Sequence, residues 1–175
     1  MDSLSLKVGN FLEVSSIDRD LTFQKDISST TKSPQAYRYW VHGWNAFVKS
    51  DFPGACEWFL QSLEIDSNYF GSLWTLSLAY LNQGMYEEGK KWCMKIQDLK
   101  VHQPLAIRQE LLAKWIYSAC FETPHEEIKW IRQGIEIDDQ APGAHYLLGY
   151  KYVNLRQYHN AISALEKSLE IFNPS

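Results

Sequence analysis

The sequence lacks an excess of positive charge and has no long apolar run. Its 17 Lys and Arg residues are outnumbered by 21 Asp and Glu residues, which gives a formal net charge of −4. Such a chain has neither a broad positive field for nucleic acid nor a dense basic run for a membrane surface. No stretch of about 18 apolar residues is present, and residues 1–10 do not resemble a secretory signal. We therefore expect a cytoplasmic protein that binds neither nucleic acid nor membranes.

Cysteine and histidine are too few and too scattered to suggest a metal site or a disulfide framework. Cys56, Cys93 and Cys120 never form a C-x-x-C pair, and none of the five histidines has a histidine four residues away. The sequence also lacks a G-x-S-x-G motif and a phosphate-binding glycine loop. It predicts free thiols, no metal, no cofactor and no catalytic residue, and hence a protein that is not an enzyme.

Aromatic residues, by contrast, are abundant, since they make up 14% of the chain and include seven Trp and ten Tyr. Trp58, Trp92 and Trp130 recur in the related stretches "EWFLQSLEID", "KKWCMKIQDL" and "KWIRQGIEIDD", at steps of 34 and 38 residues. A period in the thirties is typical of stacked helical repeats. We interpret these three tryptophans as packing residues of a repeated unit and not as a ligand platform.

The segment "AHYLLGYKYVNLRQYHNAISALEKSLEI" from Ala144 resembles a tetratricopeptide repeat, with small and aromatic residues where two antiparallel helices must touch. The same register fits starts near 36, 70, 108 and 142. The third unit departs from the pattern, because Trp115 stands where a small residue is expected and Glu127 where Ala is usual. The resemblance implies an all-α, right-handed solenoid of four helix-turn-helix repeats (36–69, 70–103, 108–141 and 142–175).

Capping and turn residues predict the helix ends. Ser33 and Thr123 each precede a proline and are expected to cap the helix that follows, and Pro104 is expected to begin another helix. Gly84 is expected in a turn. The predicted helices are 34–49, 52–65, 70–83, 86–99, 104–121, 124–137, 141–154 and 157–171.

The first 33 residues lie outside the repeats. Leu4, Val8, Phe11 and Leu12 have helical spacing, which predicts an amphipathic helix followed by a polar linker over 1–33, before a repeat domain over 34–175. The junction with "TTKSPQAYRYW" resembles those that precede repeats in bacterial signalling and transcription-regulator proteins. That likeness implies a bacterial regulatory or signalling assembly, and a chain that forms part of a longer polypeptide.

The resemblance also implies a concave groove lined by the first helix of each repeat. The ninth position of these helices is usually polar in the family, yet here it is apolar in all four units. Four large apolar groups would form a patch that something covers. At the fifth position, helix packing is an equal alternative for Trp40, Trp74 and Tyr146. The candidate partner-binding residues are Tyr37, Trp40, Trp44, Trp74, Leu78, Ile116, Tyr146 and Tyr150.

The groove lacks the Lys and Asn residues with which chaperone-tail binders of this family hold a carboxylate. An apolar or amphipathic segment is therefore the expected ligand, from a partner protein, from a second copy or from residues 1–33. The last helix carries Ile162, Leu165 and Leu169 in place of a polar cap, so either the chain is cut short of its cap or it forms a homodimer. We expect a non-catalytic protein-interaction or scaffold module, with an oligomerisation element or a groove enzyme as alternatives.

Overall fold

The computed structural model describes residues 31–173, and this part of the chain consists of eight α-helices without a strand. The prediction of an all-α fold built from helical hairpins is confirmed. The predicted N-terminal amphipathic helix and most of its linker lie outside the described residues. The helices are α1 (Pro34–Val48), α2 (Phe52–Ile65), α3 (Phe70–Asn82), α4 (Tyr86–His102), α5 (Ile107–Phe121), α6 (Pro124–Ile137), α7 (Pro142–Asn154) and α8 (Tyr158–Phe172).

The chain divides into two compact units. Helices α1 to α4 belong to the N-terminal unit, which ends at Pro104, and α5 to α8 belong to the C-terminal unit, which begins at Leu105. Each unit holds two helical hairpins, α1–α2 and α3–α4 in the first, α5–α6 and α7–α8 in the second.

The junction between α4 and α5 is where the predicted bounds were wrong. Helix α4 continues to His102 instead of ending at 99, and Pro104 precedes α5 instead of starting it. The Gln109 side chain accepts a hydrogen bond from the Ala106 N–H at 3.0 Å, which fixes the first turn of α5 at Ile107, three residues after the proline. A proline disfavours helical geometry in the residue before it, so Gln103 is extended and α4 ends at His102.

Side-chain caps were predicted with mixed success. Ser33 accepts a hydrogen bond from the Ala36 N–H at 3.2 Å, as expected for the cap of α1. Thr123 makes no such bond at the start of α6, so its predicted capping role is wrong. Asp51, which was not predicted as a cap, accepts a hydrogen bond from the Gly54 N–H at the start of α2. Gly84 has a φ of +73°, which confirms the predicted turn after α3.

Two hairpins close through a glycine at the helix crossing. A Cβ atom at Gly43 would lie 2.5 Å from the Phe59 ring, and one at Gly149 would lie 2.6 Å from Leu165 Cγ. The two pairs are equivalent, since each spans 16 residues. In both the α1–α2 and the α7–α8 hairpin, the missing side chain lets the helices approach closely, so the repeat recurs in packing as well as in sequence.

A buried chain of hydroxyl groups connects three helices of the N-terminal unit. The Ser72 hydroxyl donates to Ser62 Oγ at 2.7 Å, and the Ser62 hydroxyl donates to the Ala36 carbonyl at 2.8 Å. In the C-terminal unit Ser168 makes the matching bond to the Pro142 carbonyl at 2.9 Å, again across 26 residues. These bonds satisfy polar groups that would otherwise be buried at a cost of about 1–3 kcal/mol each.

The tryptophans of the second helices are half-buried. Trp58 contacts Tyr39 and His42 of α1, with ring centroids 5.9 and 5.0 Å apart. Lys114 of α5 lies 4.7 Å from the Trp130 ring, whereas Trp92 is approached by Lys95 of its own helix. Trp58 and Trp130 therefore pack against the first helix of their own hairpin, in agreement with our interpretation.

Candidate functional site

Four aromatic rings stack along one face of α1 and form what we call the aromatic ladder: Tyr37, Trp40, Trp44 and Phe47. Neighbouring ring centroids are 6.0, 5.9 and 5.6 Å apart along the series, with interplanar angles of 21°, 21° and 11°. These values lie in the range that favours offset stacking. The spacing of three, four and three residues places all four side chains on one face of the helix.

Two further aromatic rings contact the ladder, one at its Phe47 end and one at Trp40. Phe52, at the start of α2, meets Phe47 edge to face at 5.3 Å. Tyr69, just before α3, meets Trp40 in the same way at 6.3 Å. The ladder is therefore supported from two sides within the N-terminal unit, and its rings are held in fixed orientations.

The ladder is buried at its centre and accessible elsewhere. Trp40 is fully buried, while Tyr37, Trp44 and Phe47 are each partly exposed. Tyr69 is also fully buried, and burial raises the pKa of its hydroxyl well above the ordinary value, with further contributions from Tyr37 and Asp66. The partly exposed rings are the part of the ladder that another molecule can contact.

Two candidate residues of the N-terminal unit lie on α3, one helical turn apart. Trp74 is buried, with 4% of its surface exposed, and Leu78 is partly exposed. Almost the whole of α3 from Phe70 to Ala79 is buried, on all sides of the helix. Trp74 therefore belongs to the core of its unit, and Leu78 is the member of this pair that stays accessible.

The other three candidates belong to the C-terminal unit. Ile116 is fully buried in α5, so it contributes to the core. Tyr146 and Tyr150 are one turn apart on α7, and Tyr150 is 51% exposed. Burial raises the pKa of the Tyr146 hydroxyl, and the Tyr150 hydroxyl adds to the shift. The structure thus places the eight candidates in two separate units, and the single groove expected from the sequence stays a prediction.

Phe47 and Tyr69 were missed as site residues. Phe47 follows Trp44 by three residues, so the spacing along α1 is a signal that could have revealed it. Tyr69 lies before the first turn of α3, outside the positions that the repeat register draws attention to. Its contact with Trp40 depends on how two helices approach each other, which the sequence alone does not give.

A cleft of about 450 Å³ lies in the C-terminal unit, apart from all eight candidates. Its lining combines buried Leu148 and Tyr152 with exposed polar groups such as Lys167. Arg132 donates a hydrogen bond to the Tyr152 hydroxyl at 2.5 Å.

Among residues 31–173 no cluster of three His, Cys, Asp or Glu side chains could hold a metal ion. Nor does any helix in this range have the length and apolar character to cross a bilayer.

Comparison with known proteins identifies the repeats. A sequence model of the tetratricopeptide repeat matches residues 70–100 and 142–173, which correspond to the second and fourth predicted units. The predicted likeness is confirmed at these two repeats. No curated protein sequence matches the chain.

Solved structures of MamA are similar to this chain at a distant level. A crystal structure of MamA shares 21% identity with a TM-score of 0.44, covering 78% of this chain and 73% of that one. A double mutant described as MamA RS-1 ArsTM shares 18% identity with a TM-score of 0.45, covering 88% and 84%. Likeness at this level carries no inference about function.

Proposed function

Starting from a chain that contains tetratricopeptide repeats, we propose that this protein is a non-catalytic interaction or scaffold module. Its ligand is an apolar or amphipathic segment of a protein, and the aromatic ladder is the surface that contacts it. The observation that carries the proposal is the ladder itself, in which partly exposed Tyr37, Trp44 and Phe47 flank fully buried Trp40.

The stacking of the rings supports binding because it orders them in advance. A surface whose side chains are already fixed loses little conformational entropy when a ligand arrives. Aromatic rings also supply a large contact area for each immobilised side chain, and for this reason Trp and Tyr dominate binding hot spots. An amphipathic segment with its apolar side chains on the ladder fits this surface better than a charged peptide does.

Two donor groups beneath the accessible rings of the ladder have no hydrogen-bond partner in the part of the chain that the structure describes. The Trp40 indole N–H and the Tyr69 hydroxyl are both buried without a hydrogen-bond partner among the described residues. Such groups destabilise a fold by about 1–3 kcal/mol each when left unsatisfied. Both groups are fully buried, so a docked segment contacts the partly exposed rings around them and not these donors themselves.

Trp44→Ala tests the proposal directly. The probe is a fluorescein-labelled synthetic amphipathic helix of about 18 residues made of Leu, Ala, Gln and Glu, and its binding is followed by fluorescence anisotropy. We expect Trp44→Ala to weaken binding by about 30-fold, which is the usual loss at an aromatic hot spot. A peptide of the same composition with its Leu residues dispersed should bind the full chain poorly.

Trp92→Ala is the matched control, because Trp92 is also a half-buried tryptophan but lies on α4 away from the ladder. It should change binding by less than about twofold, within the range of surface contacts outside a hot spot. Equal losses in the two variants, or no binding of the amphipathic probe to the full chain, would overturn the proposal. Circular dichroism must show unchanged helix content in both variants.

Tyr150→Ala examines an accessible candidate of the C-terminal unit. If a ligand contacts only the N-terminal unit, this variant binds the probe as the full chain does. A loss comparable to that of Trp44→Ala would place Tyr150 in the binding surface as well.

We propose a cytoplasmic, bacterial regulatory or signalling assembly as the setting, supported by the resemblance of the residues before α1 to such junctions.

Self-association is a second candidate function, and a specific observation favours it. Helix α8 has large apolar side chains on its exposed face, where a helix that faces water usually carries polar residues. A second copy of this chain is the ligand that would cover them.

A further inference from the structure

Helix α8 places its small residues inside and its large apolar residues outside. Four residues of α8 are buried against the rest of the unit, and three of them are small: Ala161, Ala164, Ser168 and Ile171. On the outer face, by contrast, Tyr158 is 60% exposed, Ile162 56% and Leu169 48%. This distribution is the reverse of that expected for a helix that covers a core and faces water. The outer face therefore has the composition of an interface.

The outer residues follow the spacing of a coiled-coil seam. From Tyr158 the steps to Ile162, Leu165 and Leu169 are four, three and four residues, which is the a/d pattern of a heptad. Leu165 is partly buried because it also packs over Gly149. The four side chains form one continuous stripe, which we call the α8 seam.

We propose that the α8 seam is a self-association surface, on which α8 packs antiparallel to α8 of a second copy around a two-fold axis. The spacing of four, three and four reads the same in both directions, so the seam is complementary to itself. In the antiparallel arrangement Tyr158 faces Leu169 of the second copy, and Ile162 faces Leu165 of the second copy. A two-fold interface requires this self-complementarity, and an unrelated partner helix does not.

The charges beside the seam agree with a second copy. His159 and Glu166 each follow a seam residue directly, seven residues apart, and so lie along the same edge of the seam. In the antiparallel pairing, His159 lies beside Glu166 of the second copy, and the symmetry produces this contact twice. Glu166 of one copy does not lie opposite Glu166 of the second copy, so no repulsion between like charges destabilises the pairing.

The size of the surface sets the expected affinity. Three half-exposed large side chains and their polar neighbours provide about 500 Å² per copy, or about 1,000 Å² in total, which is at the low end of specific interfaces. We therefore expect a reversible dimer with a dissociation constant in the micromolar range. The inference deepens the second candidate function and does not depend on the aromatic ladder.

Sedimentation velocity of the full chain over about 1–300 µM, a range centred on that expectation, tests for the dimer. We expect the sedimentation coefficient to rise with concentration, and Ile162→Glu with Leu169→Glu to abolish the rise. Ile107→Glu is the control, because Ile107 is 72% exposed and lies on α5 away from the seam. A chain that stays monomeric throughout the range, or a dimer that survives the double substitution, would overturn the proposal. Binding of the amphipathic probe should be unaffected in the seam variant, so failure here and failure at the ladder can be told apart.

Cysteine crosslinking tests the antiparallel register. In a Cys120→Ser background, a Tyr158→Cys chain mixed with a Leu169→Cys chain should form a heterodimeric disulfide under mild oxidation. Each variant alone should crosslink at least about tenfold more slowly, because equivalent residues are separated along the seam by about 1.5 Å per residue. Preferential crosslinking of like variants would show a parallel pairing and contradict the proposed interface.

Discussion

The hairpins α5–α6 and α7–α8 belong to the same unit but bring their helices together in different ways. In α7–α8 the crossing is made by Gly149, and Ala161 stands opposite it on α8, so the backbones approach closely. In α5–α6 the equivalent positions hold Trp115 and Glu127, of which Trp115 is 6% exposed and Glu127 also 6%. One crossing is therefore closed at a glycine, whereas the equivalent position of the other hairpin holds a buried indole ring.

The two hairpins also satisfy their charges differently. Glu127 of α6 forms an ion pair with Lys151 of α7, and both side chains are largely buried. Arg132 of α6 reaches the Tyr152 hydroxyl on α7. Polar groups of α6 thus find their partners on the next hairpin. The α5–α6 hairpin therefore depends on contacts with α7, whereas the α7–α8 hairpin is held by its own close packing. A repeat whose sequence departs from the family pattern can therefore still adopt the fold if the neighbouring repeat supplies the missing contacts.

Trp115→Ala should have the largest effect on this comparison. Removing a buried indole leaves a cavity that the neighbouring helices fill only in part, so we expect a loss of about 3 kcal/mol in the free energy of unfolding. Urea denaturation followed by circular dichroism measures it. Trp130→Ala, which removes a half-buried ring from the same hairpin, should cost about half as much. A loss under about 1 kcal/mol for Trp115→Ala would mean that the helices close on the gap, as in α7–α8.

Glu127→Ala should come next, because it leaves the buried Lys151 ammonium without its carboxylate. We expect a loss of about 2 kcal/mol, and Glu127→Ala combined with Lys151→Met should recover most of it. Lys129→Ala breaks the exposed pair with Glu126 on the same helix and should cost less than about 0.5 kcal/mol. If the double variant is no more stable than Glu127→Ala, the ion pair is not what connects the two hairpins.

Gly149→Ala should have the smallest effect, and its sign distinguishes the two kinds of crossing. The added methyl group would displace Leu165, and this outweighs the better helix propensity of alanine, so we expect a loss of about 1 kcal/mol. A Cβ atom at Gly134 of α6 meets nothing within 4 Å, so Gly134→Ala should stabilise the chain by about 0.5–1 kcal/mol. Thermal unfolding measures both changes. If Gly149→Ala also stabilises the chain, the α7–α8 crossing can accommodate the added methyl group.

Most of the fold could be predicted from the sequence because its signals are local. Seven of the eight helices begin within one residue of the predicted start, since prolines, turn residues and apolar spacing act over a few positions. The start of α5 was wrong because a Gln109 side chain, three residues into the helix, outweighs the proline signal at Pro104. The third hairpin was recognised as irregular from Trp115 and Glu127, but the role of Lys151 as partner was not, since it requires contacts between hairpins.

The candidate site was less predictable than the fold. Position along a repeat indicates which face of a helix a residue occupies, yet it does not say whether a neighbour covers that face. Trp40 and Trp44 are four residues apart on the same face, and only Trp44 keeps part of its surface exposed. Phe47 was missed although it lies three residues after Trp44, at a position that the repeat register places on the groove.

The hydroxyl chain from Ser72 through Ser62 to the Ala36 carbonyl has a consequence for how the N-terminal unit opens. Ser62 donates one hydrogen bond and accepts another, so separating α1 from α2 also leaves Ser62 joined to α3 with an unsatisfied donor. Opening of the first hairpin is therefore energetically coupled to the contact between α2 and α3. Amide protons on α1 and α3 should exchange with solvent together, as a single protected block.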